Sequence, residues 1–293
     1  MAIGYVLYNP KAGKTNNIED IRQLETLLEL PLEYADVLQI SDYGAFLSTL
    51  AEDDVIVLAG GDGTLNRFAN NVEGIDFPNE VLYFPNGTGN DFAHDLGKEK
   101  GDAPFPVKRY LQKLPTVTVK GKTYRFINGV GYGIDGYCCE VGDALKEAQK
   151  KVDYTAIAIK GLLFHYKPTN ARITVDGKEY AFKKVWLAPT MNGRFYGGGM
   201  MPTPDQSRDA NDTLSTMVFH GSGKLRTLII FPSLFKGEHV KHHKYVTVLS
   251  GKQICVEFDR PVALQIDGET VLEVSAYTAC APANVLENIL QPV

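Results

Sequence analysis

Two periodicities succeed one another along the 293 residues. They predict an α/β N-terminal domain with a mostly parallel sheet, followed by a C-terminal domain of mostly antiparallel sheet. Up to about residue 115, short apolar strands alternate with runs of helical spacing. Beyond it, β-branched and aromatic residues alternate around Lys-Gly and Asp-Gly pairs, as hairpins do.

"AIGYVLY" is strand-like and ends at Asn9-Pro10. "NIEDIRQLETLLEL" then sets Ile18, Ile21, Leu24, Leu27 and Leu28 on one helical face, with acids in the first turn and Pro31 beyond the end. The βα unit recurs as "LEYADVLQI" and "DYGAFLSTLAED", as "DVIVLAGG" and "TLNRFANNV", and as "VLYFPNG" and "NDFAHDLG". Alternating units of this kind build a parallel sheet covered on both faces, with ligands beyond the strands' carboxyl ends. From about Pro115, "TVTVKGKTYRFINGVGYG" and "ARITVDGKEYAFKKVWLAPT" read as hairpins. "TLSTMVFHG", "KYVTVLSG", "QICVEFD", "VALQIDG" and "TVLEVSAY" continue the pattern, with helical insertions near 139–166 and 223–236.

Composition excludes several classes. A net charge of -5 offers no overall basic field for nucleic acid. The apolar run at the N-terminus is too short for a signal peptide, and "YTAIAIKGLLFHY" (154–166) is interrupted by Lys160, short of the ~18 apolar residues of a membrane span. Four cysteines, without a Cys-x-x-Cys, suit reduced thiols and no zinc site, and the adjacent Cys138 and Cys139 read as packing. Trp186, Tyr154 and Tyr166 read as core or cleft wall. "EHVKHHK" (238–244) reads as a solvated charge run with membrane contact as its alternative.

"LAGGDGTLNRFANN" (58–71) carries the first chemistry. A strand entering Gly60-Gly61-Asp62-Gly63-Thr64 and then a helix lets the backbone approach a phosphate, with helix-terminal N–H groups aimed at it. Asp62 would repel that phosphate, which points to a magnesium ion or another cation between them. The competing reading is a plain strand-to-helix turn with Asp62 as cap. "NPKAGK" adds Gly13 and Lys14, and "PNGTGNDF" (85–92) adds Thr88, Asn90 and Asp91, so several strand ends make one composite site. Neither the P-loop nor the Rossmann glycine pattern is matched.

"NPKAGK", "GGDGTLN", "PNGTGNDFA", "GVGYGIDG", "GGGMMPTP" and "LQIDGE" follow one another along nearly the whole chain. In this the sequence resembles the diacylglycerol kinase catalytic domain family, soluble bacterial lipid kinases related to sphingosine and ceramide kinases. The resemblance implies a nucleotide-binding α/β domain over 1–116 and about 278–293, and a C-terminal β-sandwich for the lipid substrate over 117–277, with ATP between them. It places Asn9, Pro10, Lys11, Ala12, Gly13 and Lys14 along the nucleotide, together with Ser41, Gly60, Gly61, Asp62, Gly63, Thr64, Leu65, Asn66, Thr88, Asn90 and Asp91. Asp267 is similar in setting to the family's catalytic base, with Glu269 beside it and Asp62 linking magnesium to that site. Asp209, Asp212 and the Leu214 carbonyl match a second metal position, although Asn211-Asp212-Thr213 departs from the usual Asp-Asp-Gly. Arg67 and His94 depart as well, where relatives carry an acid and an arginine. The resemblance further implies a cytoplasmic enzyme that meets lipid transiently at the inner membrane face, and a homodimer is compatible with it.

On the residues alone, Asp267-Gly268 is equally a hairpin turn, as "VDGKEY" at 175–180 is expected to be. Two other functions stay open: an NAD kinase, which shares Gly-Gly-Asp-Gly-Thr, and a non-catalytic binding protein. Against the first stands the lack of a Thr-Pro-Thr-Gly-Ser-Thr-Ala-Tyr-like segment, and against the second the presence of both Asp62 and Asp267.

Overall fold

The computed structural model describes residues 1–10, 20–209 and 212–282. The chain divides into two compact units, Met1–Lys113 and Leu114–Val293.

In the first unit, β1 (Gly4–Tyr8), β2 (Leu32–Asp36), β3 (Val55–Gly60) and β4 (Glu80–Pro85) pair in parallel, and the short β5 (Phe105–Pro106) closes antiparallel on β4. Val6, Leu7, Ile56, Val57 and Leu58 are fully buried, as expected of consecutive residues in strands covered on both faces. Strand order is β2-β1-β3-β4-β5. The chain therefore leaves β1 in one direction and β3 in the other, a switch point of the kind beyond whose strand ends open α/β sheets bind ligands. Helices α1 (Leu24–Leu27), α2 (Tyr43–Ser48), α3 (Asp62–Asn71), α4 (Asp91–Asp95) and α5 (Lys108–Gln112) connect the strands. Asp42 caps α2, its Oδ1 accepting from the Ala45 N–H at 3.0 Å. The helix expected from residue 17 is described only in its second part. There Leu28 already has extended dihedrals three residues before Pro31, so α1 stops earlier than the spacing of Leu24, Leu27 and Leu28 suggests.

In the second unit all pairings are antiparallel among β6 (Thr116–Val119), β7 (Lys122–Arg125), β8 (Gly129–Tyr132), β9 (Thr169–Val175), β10 (Lys178–Val185), β11 (Thr190–Met191), β12 (Leu214–Phe219), β13 (Val246–Gly251), β14 (Gln253–Ile266) and β15 (Glu269–Cys280). Lys120-Gly121, Asp176-Gly177 and Asp267-Gly268 close three hairpins, and each pair has positive φ at both residues, the requirement of a two-residue turn matched to strand twist. "QICVEFD" and "VALQIDG" are one strand: β14 runs through Arg260-Pro261, where its register slips between Glu257 and Val262. A proline is tolerated at such an irregularity. The first part of β14 pairs with β9 and the last with β8.

Val130, Tyr132, Ile173, Val256, Leu264 and Tyr277 belong to the main core of this unit, with Tyr132 stacked on Phe258. A second cluster lies under α6 (Ile134–Glu147), α7 (Tyr154–Lys160), the π-helical turn Gly161–His165, α8 (Lys224–Ile230) and the 3-10 turn Phe231–Lys236. Trp186 is core, its indole N–H donating to the Ser222 carbonyl at 3.0 Å. Cys138 is buried, and burial pushes its thiol and that of Cys139 upward, as packing residues would be. Thr278–Cys280, placed by resemblance with the first domain, pair with Thr116–Thr118 of the second unit, because β15 continues unbroken that far. Residues 283–293 lie outside the described ones. Among the described residues, no helix is long and apolar enough to cross a membrane.

Candidate functional site

In the first unit the glycine loops after β3 and β4 lock together. Gly60 O accepts from the N–H groups of Asn86 at 2.8 Å and Gly87 at 3.1 Å. Gly61 and Gly87 face each other so closely that a Cβ on Gly87 would lie 2.3 Å from the Gly61 Cα, so Gly87 cannot carry a side chain unless the loops part. Asp62 opens α3, whose cap is Gly61. Its carboxylate instead takes the first amides of α4: Oδ2 accepts from Asp91 N at 2.9 Å and Oδ1 from Phe92 N at 2.8 Å. Asp62 thus caps the neighbouring helix and not, as the plain-turn reading had it, its own.

Asn90 adopts left-handed dihedrals, and its amide closes the loop on itself, accepting from Gly87 N at 2.9 Å and donating to Gly87 O at 3.0 Å. Gly63, Thr88 and Gly89 are the exposed members, and Gly61, Asp62, Gly87 and Asn66 are half-buried. The result is a pair of rigid turns with exposed backbone at a sheet switch point. The Leu65 side chain is wholly buried, so its expected place along a nucleotide is confined to its backbone. Asn90 and Asp91 are buried too. Ser41 is exposed immediately before the Asp42 cap, and Asn9 and Pro10 follow β1. Lys11, Ala12, Gly13 and Lys14 lie outside the described residues.

In the second unit the Asp267 carboxylate is held by three consecutive backbone N–H groups. Oδ2 accepts from Ile127 at 2.5 Å, and Oδ1 from Asn128 at 2.8 Å and Gly129 at 2.9 Å. The same loop is gripped from its carbonyl side by the buried Arg208, which donates to Ile127 O and, at 2.6 Å, to Asn128 Oδ1. Asn192 adds a bond of 3.0 Å to Ile127 O. Asp176, in the equivalent turn, likewise accepts from the amides of Lys252 and Gln253, but it is exposed, whereas Asp267 is half-buried. Glu269 is exposed at the start of β15. Asp209 and Asp212 are exposed, on either side of two residues outside the described ones, and Leu214 begins β12 with its side chain buried. Among the described residues, no group of three metal-ligating side chains stands together.

Residues 4–120 match the diacylglycerol kinase catalytic domain, and residues 128–288, more than half the chain, match the YegS C-terminal NAD kinase beta sandwich-like domain. The chain belongs to the family that carries this YegS-type C-terminal domain, here preceded by a match to the diacylglycerol kinase catalytic domain. Curated relatives in Staphylococcus aureus strains JH9 and N315, each named a "Putative lipid kinase", are 26% identical over 287 residues, covering 92% of this chain and 91% of theirs. Among solved structures, a diacylglycerol kinase from Bacillus anthracis is similar in fold, with a TM-score of 0.64 at 21% identity over 95% of this chain and 94% of that one.

Within this kinase family, the departures Arg67 and His94 sit exposed on α3 and α4, the helices that begin at the two glycine loops. A further acid was missed by reading motifs. Asp135, in "GVGYGIDG", is buried at the start of α6, with Oδ1 accepting from Gly136 N at 2.9 Å and Oδ2 from the Tyr196 hydroxyl at 3.3 Å. The Gln265 side chain also bonds it, and Gln265 Oε1 accepts from Gly268 N at 2.7 Å, tying the buried acid to the Asp267-Gly268 turn. The only signal in the sequence was an aspartate inside an apolar, glycine-rich run.

Burial pushes the Asp135 carboxyl up to about 6, against hydrogen bonds that pull it down. The folded state therefore binds the proton more tightly than the unfolded chain, whose aspartates titrate near 3.8. Stability from this group is present below about pH 4 and is lost as pH rises to about 6, by about 3 kcal/mol at most. Urea unfolding of the native chain and Asp135→Asn at pH 4 and pH 7 measures this. The native chain's advantage over the variant is expected to shrink with rising pH, and a pH-independent gap would show that Asp135 does not titrate there.

Proposed function

We propose that the protein is an ATP-dependent lipid kinase that transfers the γ-phosphoryl group to the hydroxyl of a diacylglycerol-like lipid. The observation that carries this reading is the pair of interlocked glycine turns, Gly60–Gly63 and Asn86–Gly89. Bare backbone beside two helix N-termini suits phosphate oxygens, and phosphoryl transfer needs little from a protein beyond positioning and charge. Asp62 fixes the angle between the turns. Gly63 and Thr88 offer exposed amides or hydroxyl to the phosphates, and Lys14 adds a cation.

Asp62 in the first unit and, separately, Asp209 and Asp212 with the Leu214 carbonyl in the second offer oxygen donors alone, the donor chemistry of a hard divalent cation, so magnesium fits the residues present. Asp62 would hold it with phosphate oxygens as co-ligands, and bound there it would neutralise phosphate charge. Asp267 orients the acceptor hydroxyl and takes its proton as the new P–O bond forms, with Glu269 adjacent. Its carboxylate is preset for this by the three amides of residues 127–129.

The test is incubation with γ-labelled ATP and magnesium against diacylglycerol, monoacylglycerol and ceramide in mixed micelles, and against NAD. Label is expected in a lipid phosphate extracted into the organic phase. Labelled NADP forming faster than any lipid phosphate would replace this reading with an NAD kinase, and transfer to no acceptor would leave a binding protein.

A further inference from the structure

We infer that the outer surface of the Gly161–His165 and Lys224–Lys236 segments is the face by which the protein docks on an anionic lipid bilayer. Phe164, Leu225 and Ile229 are 72%, 76% and 78% exposed, and Phe235 is 49% exposed, although each is a large apolar side chain. They are neighbours. Lys224 Nζ donates to Leu163 O at 2.7 Å, and Leu162, Ile230 and Leu234 from the same segments share one buried cluster. The inward side of these turns is therefore fully used by the core. Phe164, Leu225, Ile229 and Phe235 are exposed on the remaining side.

On α8 the arrangement follows helical geometry. Leu225 and Ile229, four residues apart, make one ridge, while the buried Thr227 and Ile230 occupy the opposite side. Lys224 and Arg226 are adjacent in sequence to Leu225 and so flank that ridge at about 100° on either side. An amphipathic helix flanked in this way lies in the plane of a bilayer interface, with apolar side chains among the acyl chains and cations at the headgroups.

Charge selects the occupant. Segments 154–167 and 221–244 hold seven lysines and arginines and a single acid, Glu238, in a chain whose net charge is -5. Glu238 is itself paired with Lys241 at 3.0 Å. Such a basic, apolar face fits anionic lipid headgroups over a hydrocarbon layer, and the remaining acidic surface is repelled from them. The charge run 238–244 lies at its margin. Glu238, Lys241, His242, His243 and Lys244 are exposed there, but His239 is buried, donating from Nε2 to Pro202 O at 2.9 Å.

This face deepens the lipid-kinase reading, because an acceptor lipid resides in a bilayer, yet its test is independent of that reading. The full chain is sedimented with vesicles of equal parts phosphatidylglycerol and phosphatidylcholine, or of phosphatidylcholine alone. Binding is expected to the anionic vesicles, weakening as salt rises. Leu225→Ser/Ile229→Ser and Lys224→Glu/Arg226→Glu are each expected to lower the partition coefficient by about tenfold or more with unchanged circular dichroism, the charge variant melting slightly lower because it loses the bond to Leu163 O. Val248→Ser, an exposed apolar change on β13, is expected to bind as the native chain does. Native-like binding by both double variants would overturn the assignment, as would absence of native binding. So would loss of a sedimenting dimer in the variants with vesicle binding intact, which would make the face a contact between copies. If vesicles are bound but no lipid is phosphorylated, the kinase reading fails and the docking face stands.

Discussion

Asp62→Ala is expected to lose phosphoryl transfer by at least about 10²-fold and to melt at a lower temperature than the native chain. At the head of α3, Asp62 accepts from Asp91 N and Phe92 N, so its removal touches the fold as well as the chemistry. The substitution strands two amides of α4 and removes a side chain that couples both glycine turns. Bonds to a charged acceptor contribute roughly 1.5–3 kcal/mol each, less whatever water restores at this half-buried place. A loss of about 2 kcal/mol would lower the melting temperature by several degrees in a chain of this size. The chemical part of the effect is isolated by assaying well below the new melting point. Asp62→Asn adds a second comparison: it keeps one acceptor oxygen for one of the two amides, sets its NH₂ against the other, and lacks the charge. A lowered melt with near-normal turnover in both variants would make Asp62 only a staple between loops.

The contrast between Asp62 and its sequence reading is typical of what was legible. Strands β1, β3 and β4 could be found because fully buried parallel strands read as unbroken apolar runs, and the three hairpins because Lys-Gly and Asp-Gly announce positive φ. The glycine loops were visible as glycine, and their strand-end position followed. What could not be read was who meets whom. Arg208 and Asn128 are polar and buried, and sequence gives polar residues to the surface unless a partner 80 positions away is known. Asp135 was hidden in the same way. Leu65 was carried along with its motif although its side chain belongs to the core, since a motif lists neighbours in the chain without their directions. The exposed ridge of Leu225 and Ile229 was invisible because helical spacing alone does not tell which apolar side faces inward.

Asp267→Asn is the sharpest test of the reaction, and the structure changes how its outcome must be read. Asparagine tolerates left-handed dihedrals well, so the turn at φ 47° should survive. The three amides pose a different demand. Asparagine can keep the bonds from Asn128 and Gly129 on its one oxygen, but its NH₂ then faces the Ile127 N–H, donor against donor, at a cost of about 1–3 kcal/mol. The fold is expected to persist with a lower melting temperature, and ATP affinity to stay close to native because the glycine loops to which we assign the nucleotide belong to the other unit. Turnover should fall by about 10²-fold or more, because the amide cannot take the acceptor's proton. A lowered turnover could also follow from loosening the 127–129 loop, so a second variant is needed. Arg208→Met releases the same loop from its carbonyl side while leaving the carboxylate in place. If Asp267 is the base, Arg208→Met retains far more turnover than Asp267→Asn at a comparable loss of stability. Equal losses in the two variants would assign Asp267 to clamping the loop and leave the proton to another acceptor.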